Sequence, residues 1–393
     1  MSLLSEPLLS PQTILSYRDE LRKLREILLA NVVMAGEIPA PTGYEGRLTR
    51  FLGDRFIESG LEHIFEDEAG NVAALLPGKV GARDIVVAAH LDKIWAEAED
   101  HTVSVGADQM SGRGLADNSL GVAVLATMPF ILERLGIEFD SNVILLGTSR
   151  SFGRGNLRGM RYFLEHTDRE ISSALCLEGI ELGRLSFSSL GMARGEIFVE
   201  LSGLGQTVEE NTVGVLAVLQ RLVSGIIEIN RRESPNTRIL VGTVEAVSGF
   251  NVPPRFGVLR FEIRSEDAAR VAAVEAEIVK LAEAESPRGN HLAARARVEI
   301  IAQREPGNLG ENHPLTLEAR RVLQILGVTP HEEPSISELA ALLDQGIPAL
   351  TLGITRGRDR HTPVESIRLE PIFDGLAQVV SLLQFMDGGI QAA

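Results

Sequence analysis

The chain of 393 residues has one cysteine, Cys176, which excludes an intrachain disulfide and suits a reducing compartment. It is short of positive charge: 38 Lys and Arg stand against 54 Asp and Glu, for a formal net charge of −16. That balance excludes nucleic acid as the main partner, because phosphate binding needs basic surface. Lysine is scarce, occurring only at Lys23, Lys79, Lys93 and Lys280. Nearly all basic residues are therefore arginine, which reflects genome composition as much as function. Met1 to Gln12 has no basic segment followed by an apolar core, so no signal peptide is expected. No run of apolar residues approaches the ~20 needed to span a membrane. The expectation is a soluble, cytoplasmic protein, and 44% hydrophobic with 23% charged residues is ordinary for one.

A chain of this length buries a full core and divides naturally into two domains. Residues 11–35 carry apolar positions Ile14, Leu21, Leu24, Ile27 and Leu28 at helical spacing. A Pro- and Gly-containing loop, 38–43, leads to a second helix over 45–59. Strands at 62–65, 71–76 and 84–90 follow, then helix 119–135, strand 142–148, helix 155–166 and strand 173–177. This alternation predicts an α/β fold with a mostly parallel sheet covered by helices on both faces. The pattern changes near residue 193. Strand 196–202, helix 209–229, strands 238–247 and 257–265, helix 267–285 and strand 293–303 form a βαββαβ unit. Helices 313–326 and 337–345, strand 348–353 and helix 370–387 resume the first pattern. The expected organisation is residues 1–193 with 308–393 as one domain and 194–307 inserted into it.

Four residues share a setting. His90 ends the apolar run that begins at Asp84, Asp117 follows Gly112-Arg113-Gly114, Glu178 closes the strand through Cys176, and His361 follows the strand Ala349–Gly353. Each lies at the C-terminal end of a strand or just beyond it, where open α/β sheets place their sites. Together they form most of a two-metal hydrolase ligand set, with oxygen and imidazole donors that suit zinc, manganese or cobalt. The plainer reading is two satisfied loop histidines and two solvated carboxylates, with Asp92 a helix cap. His63, His101, His166, His291, His313 and His331 lack such settings and are expected at the surface, and Cys176 in the core.

With these ligand settings in order, the chain resembles the zinc-dependent exopeptidase family of aminoacylase, dipeptidase and peptidase T. The likeness covers nearly the whole chain. Residues 38–45, Ile-Pro-Ala-Pro-Thr-Gly-Tyr-Glu, match the family's N-terminal loop. Gly249-Phe250-Asn251-Val252-Pro253-Pro254 is similar to its lid loop, Arg264 to its arginine after the next strand, and Ser337-Glu338 with Gly346-Ile347-Pro348 to a stretch before the last histidine. The resemblance implies that His90, Asp117 and Glu178 hold a first zinc ion. It further implies that Asp117 bridges to a second ion held by His361, that Asp92 orients His90, that Asn251 and Arg264 contact substrate, and that the inserted domain is lid and homodimer interface.

One departure is chemically serious. Where the family has two consecutive glutamates, this chain reads Ser149-Arg150-Ser151-Phe152-Gly153, which puts Arg150 at the general base and Ser151 at the second-metal ligand. Arginine stays protonated and cannot accept a proton from water. The second metal site is expected to be impaired, with Arg150 standing in for its cation beside Asp117, or with Glu97, Glu99 or Asp108 entering the site. The family's lid histidine is also missing from Ser202–Thr207, where Gln206 is the nearest polar side chain. Arg150, Arg154, Arg158 and Arg161, with Arg356, Arg358 and Arg360, are expected to border one anion-binding mouth, set against the alternative of solvated or salt-bridged side chains. The function implied is hydrolysis of peptide or N-acyl amino acid amide bonds. The alternatives are a catalytically inactive homologue that binds an anionic peptide or metabolite, and a structural partner subunit.

Overall fold

Residues 9–81, 83–201, 214–285 and 294–390 are described by the structure, a computed structural model. The chain forms two compact units, one comprising residues up to Ser189 and from Asn308 onward, the other Leu190–Gly307. The first boundary falls a few residues before the position expected from pattern. Gly191-Met192-Ala193-Arg194-Gly195 lacks strand-like alternation, yet pairing with residues 261–265 carries it into the strand Gly191–Leu201. Gln206 and His291 lie outside the described residues.

The larger unit contains an eight-stranded sheet in the order His63–Glu66, Val72–Leu76, Asn142–Thr148, Asp84–His90, Ile171–Glu178, Ala349–Gly353, Arg184–Ser186, His331–Glu332. Its four central strands, from Asn142–Thr148 to Ala349–Gly353, are mutually parallel. Their near-continuous apolar sequences follow from burial on both faces. Ile85 and Val87 pack into the core on one face, and Val86 and Ala88 into the core on the other. The chain leaves Asp84–His90 to build Asn142–Thr148 on one side, then returns to build Ile171–Glu178 on the other. Asp84–His90 is thus a topological switch point, where a crevice opens at the strand ends. Register sets His90 opposite Thr148 and Glu178 opposite Gly353, so the ends of four strands line up.

The helix Leu120–Leu135 starts directly behind the Asp117 loop. The stretch Leu115–Leu135 is long and apolar enough by composition to cross a membrane, which differs from the sequence expectation. It is apolar all round because it packs within the core of the unit, where most of its residues are buried. The smaller unit is an antiparallel sheet, ordered Thr237–Glu245, Phe256–Ser265, Gly191–Leu201, Ala294–Arg304, with helices Leu216–Glu233 and Ala268–Ala284. It has a core of its own, including Ile197, Leu222, Phe261 and Ile278.

Candidate metal centre

His90 is the last residue of its strand and is almost fully buried. Its Nδ1 lies 3.0 Å from the Asp92 carbonyl oxygen, and its Nε2 lies 2.9 Å from Asp117 Oδ1. A carbonyl only accepts, so Nδ1 carries a proton there, and Nε2 is the nitrogen that faces the Asp117 carboxylate. The Asp92 side chain does not make the hydrogen bond that the resemblance implies: its carboxylate stands 3.6 Å from Nδ1. It accepts instead from Thr42 Oγ1 and the Phe152 amide, each at 2.8 Å, and so ties two neighbouring loops to the His90 turn.

Asp117 lies in a loop stitched to the sheet by Asn118, whose Nδ2 donates to the Leu177 carbonyl at 2.7 Å. The Asp117–Asn118 peptide is cis. Gly114 precedes it with φ +74°, and a Cβ there would meet Lys93 Cδ at 2.6 Å, so only glycine fits. The other carboxylate oxygen, Asp117 Oδ2, is 2.6 Å from His361 Nε2 and 3.3 Å from Arg360 Nε. Glu178, buried at the end of its strand, completes a group in which one ligand atom each from His90, Asp117 and Glu178 lie within 4.8 Å of one another.

The electrostatics follow from this crowding. Burial opposes ionisation of Asp117, but hydrogen bonds from His361 and His90, with the Arg360 charge, outweigh it and hold the carboxyl far below the usual range. Burial likewise opposes a charged His90, yet Asp117 and Asp92 hold its pKa well above the ordinary histidine value. Glu178 is pushed up by burial and by the charge of Asp117. Two imidazole nitrogens on two oxygens of one buried carboxylate need a positive charge between each pair, supplied by protons or by metal ions. The donor set therefore fits a divalent cation.

Three carboxylates to which sequence reading gave no role shape this centre. Glu365 is fully buried: Oε1 accepts from the Ala116 amide at 3.2 Å and Oε2 from the His361 amide at 3.1 Å, clamping both ligand loops. Glu45 Oε1 accepts from the Gly43 amide at 2.8 Å and the Arg150 amide at 2.9 Å. Glu338, also buried, accepts from the Ser151 hydroxyl and, at 3.2 Å, from Thr148 Oγ1. Glu338 had a signal in the Ser337-Glu338 match, and Glu45 in the 38–45 match that it ends. Glu365 lies four residues after His361, but its partners are backbone amides that no pattern reveals.

Other expectations are altered. The arginine beside Asp117 is Arg360, not Arg150, whose guanidinium makes no ion pair among the described residues. Arg150 itself lies in the loop after the strand Asn142–Thr148, with φ +53°. Glu97, Glu99 and Asp108 are exposed and do not join the His90 group, and Glu99 pairs with Arg113 at 3.1 Å. Arg356 and Arg358 line a cavity of about 670 Å³ to which no residue of 150–161 contributes, so the two arginine segments do not share this pocket. Within the smaller unit, Arg264 pairs with Glu262, and Asn251 is exposed in a turn. His101 is buried, not at the surface, because its Nε2 is held 3.0 Å from the Ala96 carbonyl. Cys176 is buried, as expected.

The model of Peptidase family M20/M25/M40 matches residues 86–384. No curated protein sequence matches the chain. Among solved structures, aminopeptidase PepT from Bacillus cereus ATCC 10987 is 18% identical with a TM-score of 0.66, covering 92% of this chain and 98% of its own. The di-peptidase Dug1p from Saccharomyces cerevisiae is 12% identical with a TM-score of 0.77, covering 97% and 100%. The YXEP protein of Bacillus subtilis, described as a dinuclear metal binding peptidase, is 16% identical with a TM-score of 0.64, covering 94% and 100%. At these identities the neighbours establish the fold. The family model spans most of the sequence, and the chain belongs to peptidase family M20/M25/M40.

Proposed function

We propose that the protein hydrolyses amide bonds of small peptides or N-acyl amino acids at a zinc site held by His90, Asp117, Glu178 and His361. One observation carries this reading: both oxygens of the buried Asp117 carboxylate face histidine Nε2 atoms, at 2.9 and 2.6 Å, and Glu178 closes the His90 side. A divalent ion bound there supplies water activation and carbonyl polarisation. The protein's own contribution is to hold the ligands. Asp92 anchors the His90 turn through its carbonyl, and Glu365 clamps the Asp117 and His361 loops. We assign proton acceptance to Glu338, a buried carboxylate whose charge acts on His90, because Arg150 cannot serve. The family and its peptidase neighbours support the substrate class, and the same reading includes a cytoplasmic homodimer formed through the smaller unit.

A second reading is favoured by Arg150 and Ser151 themselves: a homologue that binds metal and an anionic peptide without turnover. Zinc loading followed by desalting and elemental analysis, paired with a panel of dipeptides and N-acetyl amino acids, separates the two. Retained zinc that is lost in Glu178→Ala, together with release of free amino acid, is expected. Retained zinc with no turnover selects the binding reading. Absence of zinc overturns both.

A further inference from the structure

A second group of charges lies on a separate small sheet of the larger unit. The strands Gly357–Arg358, Ser366–Arg368, Gln109–Ser111 and Ser104–Val105 form it, in that order and antiparallel. Gly357 lies opposite Ile367, and Ile367 opposite Met110. Ile367 and Met110 are fully buried, so this row is the inner face. The alternate positions Arg358, Ser366 and Arg368 form the outer face, and the Arg368 amide donates to the Arg356 carbonyl at 2.8 Å. Arg356 and Arg368 are therefore direct cross-strand neighbours. Like charges in that relation destabilise a sheet unless an anion compensates them.

Among the described residues the protein supplies no such anion. Arg356, Arg358 and Arg368 are exposed and make no ion pair among the described residues. With Arg25, they line the cavity of about 670 Å³. Arg25 arrives from a different element, the start of the helix Arg25–Glu37, and donates only to the Ala107 carbonyl at 3.3 Å. Two carboxylates share the lining, Asp108 and Glu370. Glu370 is already taken by Arg22 at 2.6 Å, and Asp108 pairs with none of the cavity arginines. A chain with a net charge of −16 thus concentrates four guanidinium groups around one concave surface.

We infer that this cavity binds a small polyanion bearing phosphoryl or carboxylate groups, at a site that shares no residue with the metal centre. Guanidinium groups meet such oxygens with paired N–H donors, and several together select for more than one negative charge. The Gly357–Arg358 strand continues directly into Arg360 and His361, so an occupied cavity would also fix the approach of that loop to Asp117.

Calorimetric titration of the full chain at constant ionic strength tests this, with pyrophosphate and citrate as separate probes. Saturable binding of one probe is expected, weakened about tenfold or more in the Arg356→Gln, Arg368→Gln double variant. Tighter pyrophosphate identifies a phosphoryl ligand, and tighter citrate a polycarboxylate. The double variant is also expected to melt no lower than the wild type without ligand, since it removes a repulsive pair. His361→Ala is expected to keep the binding. Equal binding in the double variant, loss of binding in His361→Ala, or no saturable binding of either probe overturns the inference.

Discussion

At the scale of single residues, the centre depends on how charges are shared around Asp117. Metal binding must displace the proton from His90, whose pKa is raised above the ordinary histidine value. Below that raised value protons compete with the metal, and above it they do not. Zinc affinity is therefore expected to keep rising with pH beyond neutrality, where an ordinary histidine would have levelled off. Competitive zinc titrations between about pH 6 and 9 read this directly, and a plateau already reached at neutrality would contradict it. Arg360 occupies one side of the same carboxylate, 3.3 Å from Oδ2. Its fixed charge opposes a cation on the His361 side. Arg360→Gln is expected to raise the zinc retained per chain, measured by elemental analysis; unchanged retention argues that Arg360 does not compete. Glu338→Gln tests the assigned proton acceptor, with kcat expected to fall by ~10²–10⁴ while zinc content holds. A fall in zinc instead would make Glu338 a positioning residue.

At the scale of elements, the site is held by contacts between loops that lie far apart in sequence. Lys93, fully buried beside the His90 turn, donates to the carbonyls of Ala35, Gly36 and Ile38 at 2.7, 3.0 and 2.8 Å. These acceptors cluster at the end of the helix Arg25–Glu37, where carbonyls lack helical partners. Lys93→Met would leave them buried without donors and is expected to cost about 3 kcal/mol in urea unfolding. Burial pushes the Lys93 amine down to about 7, with Glu365 opposing. The unfolded chain keeps that proton to higher pH, so it binds more protons than the folded chain above about 7. The contribution of this group to stability therefore rises with pH across that window. The stability of the wild type relative to Lys93→Met is expected to increase from pH 6.5 toward 9, and a constant difference would show that Lys93 titrates normally. The elements themselves were largely readable, because central strands such as Asp84–His90 and Asn142–Thr148 are unbroken apolar runs. The helix expected over 11–35 is divided by a tighter turn at Arg22–Leu24, which helical periodicity does not resolve.

At the scale of the whole molecule, each unit has its own hydrophobic interior: a core on each face of the larger unit's sheet, and a separate core in the smaller unit. The insertion leaves and rejoins the larger unit at neighbouring short strands, Ser188–Ser189 and Gly307–Asn308, which pair with each other. Joining Ser189 to Asn308 through a short Gly-Ser linker is therefore expected to leave a cooperatively melting larger unit that still binds zinc. Circular dichroism melting with zinc analysis checks this, and a non-cooperative melt would show that the larger unit needs the insertion to fold.

The sequence by itself determined the order of elements, the inserted βαββαβ unit and the four residues proposed as metal ligands. Each of these is written locally, in apolar periodicity or in a residue type at a strand end. It also marked Arg150 and Ser151 as departures. What stands around the ligands was decided only in three dimensions: Arg360 rather than Arg150 beside Asp117, Ser151 on Glu338, Glu365 clamping two loops, and the arginines around 356–368 in a separate cavity. The physical reason is that these contacts join residues tens to hundreds of positions apart, or end on backbone amides and carbonyls. Such partners carry no identity in a one-dimensional pattern, and register and loop packing alone choose them.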